Sequence, residues 1–169
     1  QASAHCLRAI QLNDQLAPVY VTLGRIHDAS GKQALALQEF QRALDLDPRN
    51  PEALFGLAQV YENQARLKEA EQSFRRAAAL RPDYWDGHSK LGLFLYRQRR
   101  FADAIPLLRK VVDLTPDNAI GHLNLGAALI GAQKLPEATQ VLEKAISIAP
   151  SYAAYANLGN VYYMQGRWA

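Results

Sequence analysis

Residues 51–84 read PEALFGLAQVYENQARLKEAEQSFRRAAALRPDY, and this stretch decides the fold. Leu54, Leu57, Ala58 and Tyr61 recur at i, i+3, i+4 and i+7, which places them on one face of a helix. Ala70, Phe74 and Ala77 form a second stripe at i, i+4 and i+7, and the polar run Glu62–Arg66 separates the two. Pro82 then ends the second helix, because proline has no amide to continue it. The stretch predicts a pair of antiparallel helices joined by a tight turn. One such hairpin cannot bury its own apolar face, so it needs copies of itself stacked alongside.

The copies are present. A Leu-Gly or Leu-Ala pair recurs at Leu23-Gly24, Leu57-Ala58, Leu91-Gly92, Leu125-Gly126 and Leu158-Gly159, in steps of 34, 34, 34 and 33. Pro48, Pro82, Pro116 and Pro150 are each 34 apart, as are Ala36, Ala70, Ala104 and Ala138. The small residues let paired helices approach closely, and Phe40, Phe74, Leu108 and Leu142 are expected to fill the space toward the next unit. Composition agrees with a packed array. Hydrophobic residues make up 49% of the 169, too many for a disordered chain. No apolar run approaches the roughly 18 residues of a membrane span, so no membrane partner is expected. The lone Cys6 leaves no disulfide framework and no cysteine-built metal site. Gln1 begins inside a helical pattern with neither initiator Met nor signal peptide, so the chain is read as a fragment of a longer array.

On these residues the chain resembles the tetratricopeptide repeat (TPR) family, whose 34-residue pattern runs W-x2-L-G-x2-Y, then A-x3-F, then P. Repeat two supplies L-F-G-L-A-Q-V-Y, then A-E-Q-S-F-R-R-A, then Pro82. Four complete repeats are expected at 17–50, 51–84, 85–118 and 119–151 within one array covering 1–169. Residues 1–16 resemble the second helix of a partial repeat, with Ala2, Cys6 and Ala9 in register and Asp14 at the proline slot. Residues 152–169 resemble a first helix and its turn, M-Q-G-R-W-A. The resemblance implies an all-α, alpha-alpha superhelix: a right-handed TPR solenoid of antiparallel helix pairs. Pentatricopeptide repeats fit worse, being nearer 35 residues and lacking the Leu-Gly and Pro register. Two departures matter. The glycine that closes the first helix survives only as Gly31 and Gly166, whereas Ala65, Arg99 and Gln133 stand at the other turns, which implies another geometry or modest strain. Pro18, Pro106 and Pro136 are read as lying at helix starts, where an amide is dispensable.

No catalytic or nucleotide-binding signature is present: no G-x-G-x-x-G, P-loop, H-E-x-x-H, G-x-S-x-G or EF-hand loop. His88 and His122 share a slot one repeat apart, but a metal needs three or four ligands, so both are read as packing residues, as is His27. Cys6 is read as a small apolar residue. No enzyme, cofactor or metal is expected, and protein–protein interaction is the function the resemblance implies.

In TPR arrays the first helices line a concave groove, and positions 2, 5, 6, 9, 12 and 13 of each repeat face it. By that resemblance repeat one presents Val21, Thr22 and Arg25, and repeat two presents Glu52, Phe55 and Gly56. The later repeats present Lys90, Leu93, Tyr96 and Arg97, then Ile120, Leu123, Asn124, Ala127 and Ile130, then Asn157, Asn160 and Tyr163. This late stretch is the candidate site. Exposed apolar residues in a patch mark an interaction surface. Asn124 and Asn157 share one position in successive repeats, and an asparagine amide matches a peptide unit in donors and acceptor. They resemble the asparagine ladder of O-linked N-acetylglucosamine transferases, or they simply follow the family consensus. The carboxylate clamp of chaperone-binding TPR proteins is not matched: repeats one to three give Val21, Arg25, Gly56, Asp86 and Lys90 at its positions.

Charge is uneven. Nine basic residues face three acidic ones between Arg75 and Lys110, although the whole chain is only +3. Such a zone is read first as a solvated surface, and alternatively as one that steers an acidic partner. With no array of base-stacking aromatics, nucleic acid is not expected. The partner expected is therefore a protein or peptide. Two other roles fit the same residues. One is a structural spacer that self-associates through its array ends. The other is a regulatory TPR arm of a larger enzyme, since the Arg-, Ala- and Leu-rich style resembles bacterial arrays attached to serine/threonine kinases.

Overall fold

The computed structural model describes residues 1–167; Trp168 and Ala169, the end of the turn read from the sequence, lie outside them. Ten helices and no strand occur among the described residues. They are α1 (Ala2–Leu12), α2 (Ala17–Ala29), α3 (Gln33–Leu46), α4 (Pro51–Asn63), α5 (Leu67–Leu80), α6 (Trp85–Arg97), α7 (Phe101–Leu114), α8 (Ala119–Gly131), α9 (Leu135–Ile148) and α10 (Tyr152–Met164). None is long and apolar enough to cross a membrane. The fold is all-α, a succession of antiparallel helix pairs of the TPR-solenoid kind. Contacts divide the chain into two compact units, Gln1–Arg81 and one that begins at Pro82.

In the first unit α2 pairs with α3 and α4 with α5. Phe40 of α3 is fully buried, and its ring lies where a Cβ on Gly24 of α2 would fall, 2.7 Å away. The same ring blocks a Cβ on Gly56 of α4. Phe40 therefore wedges one pair against the next, as its size at that slot predicts. Ala36, Ala58 and Ala70 are wholly buried, where any larger side chain would hold the helices apart.

In the second unit α6 pairs with α7 and α8 with α9, while α10 packs on α8 and α9. Leu108 and Leu142 take the place that Phe40 holds in the first unit, against Gly92 and Gly126. The two histidines in shared slots do the same job. His88 Nε2 lies 2.7 Å from the Pro82 carbonyl oxygen, and His122 Nε2 lies 2.9 Å from that of Pro116. Each ring thus ties the start of a first helix to the turn before it. The buried Nδ1 of each has no hydrogen-bond partner among the described residues.

The four turns inside the helix pairs and the turn that follows α10 share one geometry. In each, the residue after the cap has positive φ: Gly31, Ala65, Arg99, Gln133 and Gly166. Paired bonds close each turn, as Arg100 N to Leu95 O and Arg99 N to Tyr96 O do after α6. This is the Schellman arrangement. The three non-glycine turns therefore keep the left-handed conformation at the expense of strain and do not adopt another geometry. Relieving that strain outweighs the added freedom of the unfolded chain, so Gln133→Gly is expected to stabilise by about 0.5–1 kcal/mol. Urea unfolding followed by circular dichroism checks the sign.

The prolines part company. Pro18 and Pro136 lie in the first turns of α2 and α9, as the sequence predicts. Pro106 does not lie at a helix start. It is inside α7, beyond Ala104, whose amide already bonds to Arg100 O. The carbonyl of Ala102 consequently lacks its i+4 donor.

Candidate functional site

Every residue of the late candidate stretch falls in the second unit. There α6, α8 and α10 lie side by side, with α8 between its two neighbours, and α7 and α9 back them. Local sequence sets where α8 and α10 begin, whereas α6 starts without a side-chain cap. The Asn118 side-chain oxygen accepts from the amides of Ile120 and Gly121 at 3.1 and 3.2 Å, and Ser151 Oγ accepts from the amide of Ala154 at 3.3 Å. These caps satisfy amides that no helical carbonyl can reach.

Helix α8, AIGHLNLGAALIG, carries no charged residue and is apolar around almost its whole circumference. A helix of that kind is normally buried on all sides. Here only one side is: Leu125, Gly126, Ala128 and Leu129 are buried. Ile120 is 67% exposed, and Leu123, Asn124, Ala127 and Ile130 are half-buried on the other side. Ile120 and Leu123 also line a small recess of about 110 Å³ with Ala145, Ala149 and Pro150. On α10, likewise uncharged, Asn157 is half-buried, whereas Asn160 and Tyr163 are exposed.

The asparagines divide cleanly by what they bond to. Asn13, Asn50, Asn63 and Asn118 each have side-chain hydrogen bonds within the chain. The remaining three of the seven, Asn124, Asn157 and Asn160, have none among the described residues, and all lie on the candidate face. The side-chain donors and acceptors of half-buried Asn124 and Asn157 are thus not used within the described residues.

The α6 side of the face differs from the sequence expectation. Lys90 is ion-paired with Asp86 on the same helix, so its charge is shared and not simply offered outward. The Tyr96 ring lies 5.6 Å from that of Phe101, tilted by 59°, at the turn into α7. Leu93 is half-buried and Arg97 exposed. Sequence reasoning missed Tyr152 and Tyr155 on α10, which are 90% and 56% exposed. Tyr155 occupies the slot that is expected to pack inward, and no motif distinguishes it.

The first unit offers no equivalent surface. Val21 and Phe55, read as groove residues, are buried, and Phe55 packs its ring 6.4 Å from Phe74. Arg25 pairs with Glu52 across α2 and α4, and the Thr22 hydroxyl donates to the Pro18 carbonyl at 2.9 Å. Polar groups there are satisfied internally. Among the described residues no cluster of three or more His, Cys, Asp or Glu is placed to hold a metal.

Two family models, each described as a tetratricopeptide repeat, match residues 21–84 and 95–160. No curated protein matches the chain. Solved structures do. YrrB, described as a TPR protein with an unusual peptide-binding site, is 24% identical with a TM-score of 0.79, over 96% of this chain and 84% of its own. MamA from Desulfovibrio magneticus RS-1, residue 41 to the end, is 22% identical with a TM-score of 0.80, over 89% and 86%. The pilF protein of Pseudomonas aeruginosa is 24% identical with a TM-score of 0.78, over 90% and 70%. At these identities the likeness is one of fold.

Proposed function

The chain belongs to the tetratricopeptide-repeat family, and from that premise we propose that it is a protein–protein interaction scaffold which holds an extended peptide against the open face of α8 and α10. Repeats of this family are characteristically interaction scaffolds and not catalysts. Within the array we assign repeats to 17–50, 51–84, 85–118 and 119–151. The observation that carries the reading is the pair of half-buried, unbonded Asn124 and Asn157 on uncharged helices, flanked by Ile120, Leu123 and Ile130. Each asparagine amide can accept from and donate to one peptide unit, while the recess beside Ile120 takes an apolar side chain of the ligand. The likeness to YrrB lends support, since that protein is described as binding peptide.

The test is a peptide-display selection against the chain, followed by affinity measurements on the enriched motif. Asn124→Ala with Asn157→Ala is expected to weaken binding roughly tenfold or more, from the hydrogen bonds lost. Ile120→Glu places a charge on the apolar floor and is expected to weaken it similarly. If no motif is enriched, or if one is enriched that ignores all three changes, the groove reading fails.

A second reading rests on α10. Tyr152 and Tyr155 are exposed, and a Cβ on Gly159 would meet open space, whereas at Gly126 the same slot receives Leu142. A helix from a second copy has a notch to enter there. Light scattering over a range of concentrations separates the readings: a scaffold of this kind gains mass with concentration, and a peptide binder does not.

A further inference from the structure

Away from the asparagine face, the turn into α7 and the turn into α9 enclose an open pocket of about 740 Å³ in the second unit. Phe101, Ile105 and Pro106 of α7 make its apolar floor. Phe101 is fixed from behind, because its ring lies where a Cβ on Gly131 would fall, 2.6 Å away. Four cations surround that floor: Arg99, Arg100, Arg109 and Lys134. Asp103 is the one carboxylate in the lining, and it pairs with Arg100 at 2.7 Å. Arg109 pairs with Glu137 of α9, and Lys134 stays 3.9 Å from the same carboxylate. Arg99, held in the left-handed conformation by the turn, has no ion pair among the described residues. The positive end of the α7 dipole adds to the same field.

Pro106 contributes twice. It is part of the floor, and its missing amide leaves the carbonyl of Ala102, another lining residue, without the i+4 donor a helix normally supplies. The pocket thus presents an apolar floor and a positive rim, and Ala102, whose carbonyl has lost its i+4 donor, is among the lining residues.

We propose that this pocket is a second docking site, distinct from the asparagine face, for a segment of a partner protein in which one bulky apolar side chain is flanked by acidic residues. The apolar side chain covers Phe101 and Ile105. The flanking carboxylates meet Arg99 and Lys134, and a backbone amide donates to the Ala102 carbonyl. A free inorganic anion would leave the Phe101 floor unused, and a basic or neutral segment would leave the net positive charge of the rim, four cations against Asp103 and Glu137, without a counterpart. The site shares no lining residue with the face assigned above, so either can hold or fail without the other.

The probe is a fluorescein-labelled peptide with a single Trp between two Glu on each side, used in anisotropy titrations and in amide chemical-shift mapping. The expected result is shifts centred on Phe101, Ala102, Ile105, Ala132 and Lys134. Affinity should fall at least tenfold in the Arg99→Glu/Lys134→Glu double variant, whose side chains are exposed and whose helicity circular dichroism verifies. It should fall comparably for a probe with Ala in place of Trp, and stay unchanged in Asn124→Ala/Asn157→Ala. Pro106→Ala, which restores the amide to the helix, should weaken binding about threefold without unfolding α7. No shift at the pocket amides at millimolar probe overturns the proposal. So does equal affinity for the Ala probe, which would be charge attraction alone. Binding to phosphatidylglycerol vesicles that is lost in the charge-reversed variant, with no shift from the peptide, would reassign the pocket to a lipid surface and overturn it as well.

Discussion

Gly126→Ala should destabilise the second unit by about 2–3 kcal/mol, while Gly159→Ala, the same change at the same slot one repeat later, should stabilise it by about 0.5–1 kcal/mol. The difference lies in what each Cβ would meet. At Gly126 it would fall 2.6 Å from Leu142 Cδ2 and 2.7 Å from Leu142 Cγ. Leu142 is fully buried, so its branch point cannot swing aside, and α8 must move away from α9. At Gly159 no atom lies within 4 Å, and the only effect left is that alanine loses less backbone freedom in a helix than glycine does. Both residues sit mid-helix in one compact unit, so urea titrations followed by helical circular dichroism compare them directly. Substitutions of equal sign would mean that the α8–α9 approach is not as tight as described. If the asparagine face holds a peptide as proposed, the effect reaches that binding too, because Asn124 and Leu123 precede Gly126 by less than one turn. A displaced α8 carries them with it, and peptide affinity should fall in Gly126→Ala even at temperatures where the chain stays folded.

The repeat was legible because close approach demands the same small residues at the same places each time. Leu-Gly pairs, the alanines and the prolines are each required by geometry, and geometry recurs every 34 residues. Features that required no particular residue type were not legible. The register marks Ala65, Arg99 and Gln133 as standing where the turn glycine belongs but does not decide between strain and another geometry; they adopt the left-handed turn at about 1–2 kcal/mol each, a strain that a packed array tolerates. Pro106 looked like a helix-start proline because its distance from the turn is short, and only the bond from Ala104 to Arg100 shows the helix already under way. The candidate face was half legible. Its residues follow from family positions, but those positions do not foresee that Val21 and Phe55 are buried or that Lys90 pairs with Asp86. The absence of internal partners for Asn124 and Asn157 depends on what surrounds them in space. The basic pocket joins residues 99–109 to 132–134 and has no counterpart in any linear motif.

The rung that is missing from the first unit has a steric cause that can be reversed. Gly56 occupies in α4 the position that Asn124 holds in α8 and Asn157 in α10, and the buried Phe40 ring fills the space a side chain there would need. The helix preceding Asn124 carries Leu108 at the Phe40 slot, and the helix preceding Asn157 carries Leu142. A leucine in place of the ring is expected to leave room for the amide, although Phe74, the other ring at this slot, precedes Lys90. Gly56→Asn alone should therefore destabilise the first unit by about 2–3 kcal/mol, as overpacking of a fixed ring does. Phe40→Leu alone should cost about 1–2 kcal/mol, because it leaves space beside both Gly24 and Gly56. In the double variant the asparagine occupies that space, so the combined loss should be smaller than the sum by about 1–2 kcal/mol. A double-mutant cycle on urea midpoints measures this coupling, and strict additivity would show that Phe40 does not decide what position 56 can be. If the coupling is found and the display selection has placed a peptide on the asparagine face, the double variant becomes a test of whether an asparagine at this position confers peptide binding on the first unit by itself. An added rung with unbonded donors and acceptors should let the first unit take up a peptide backbone that the native Gly56 surface cannot hold.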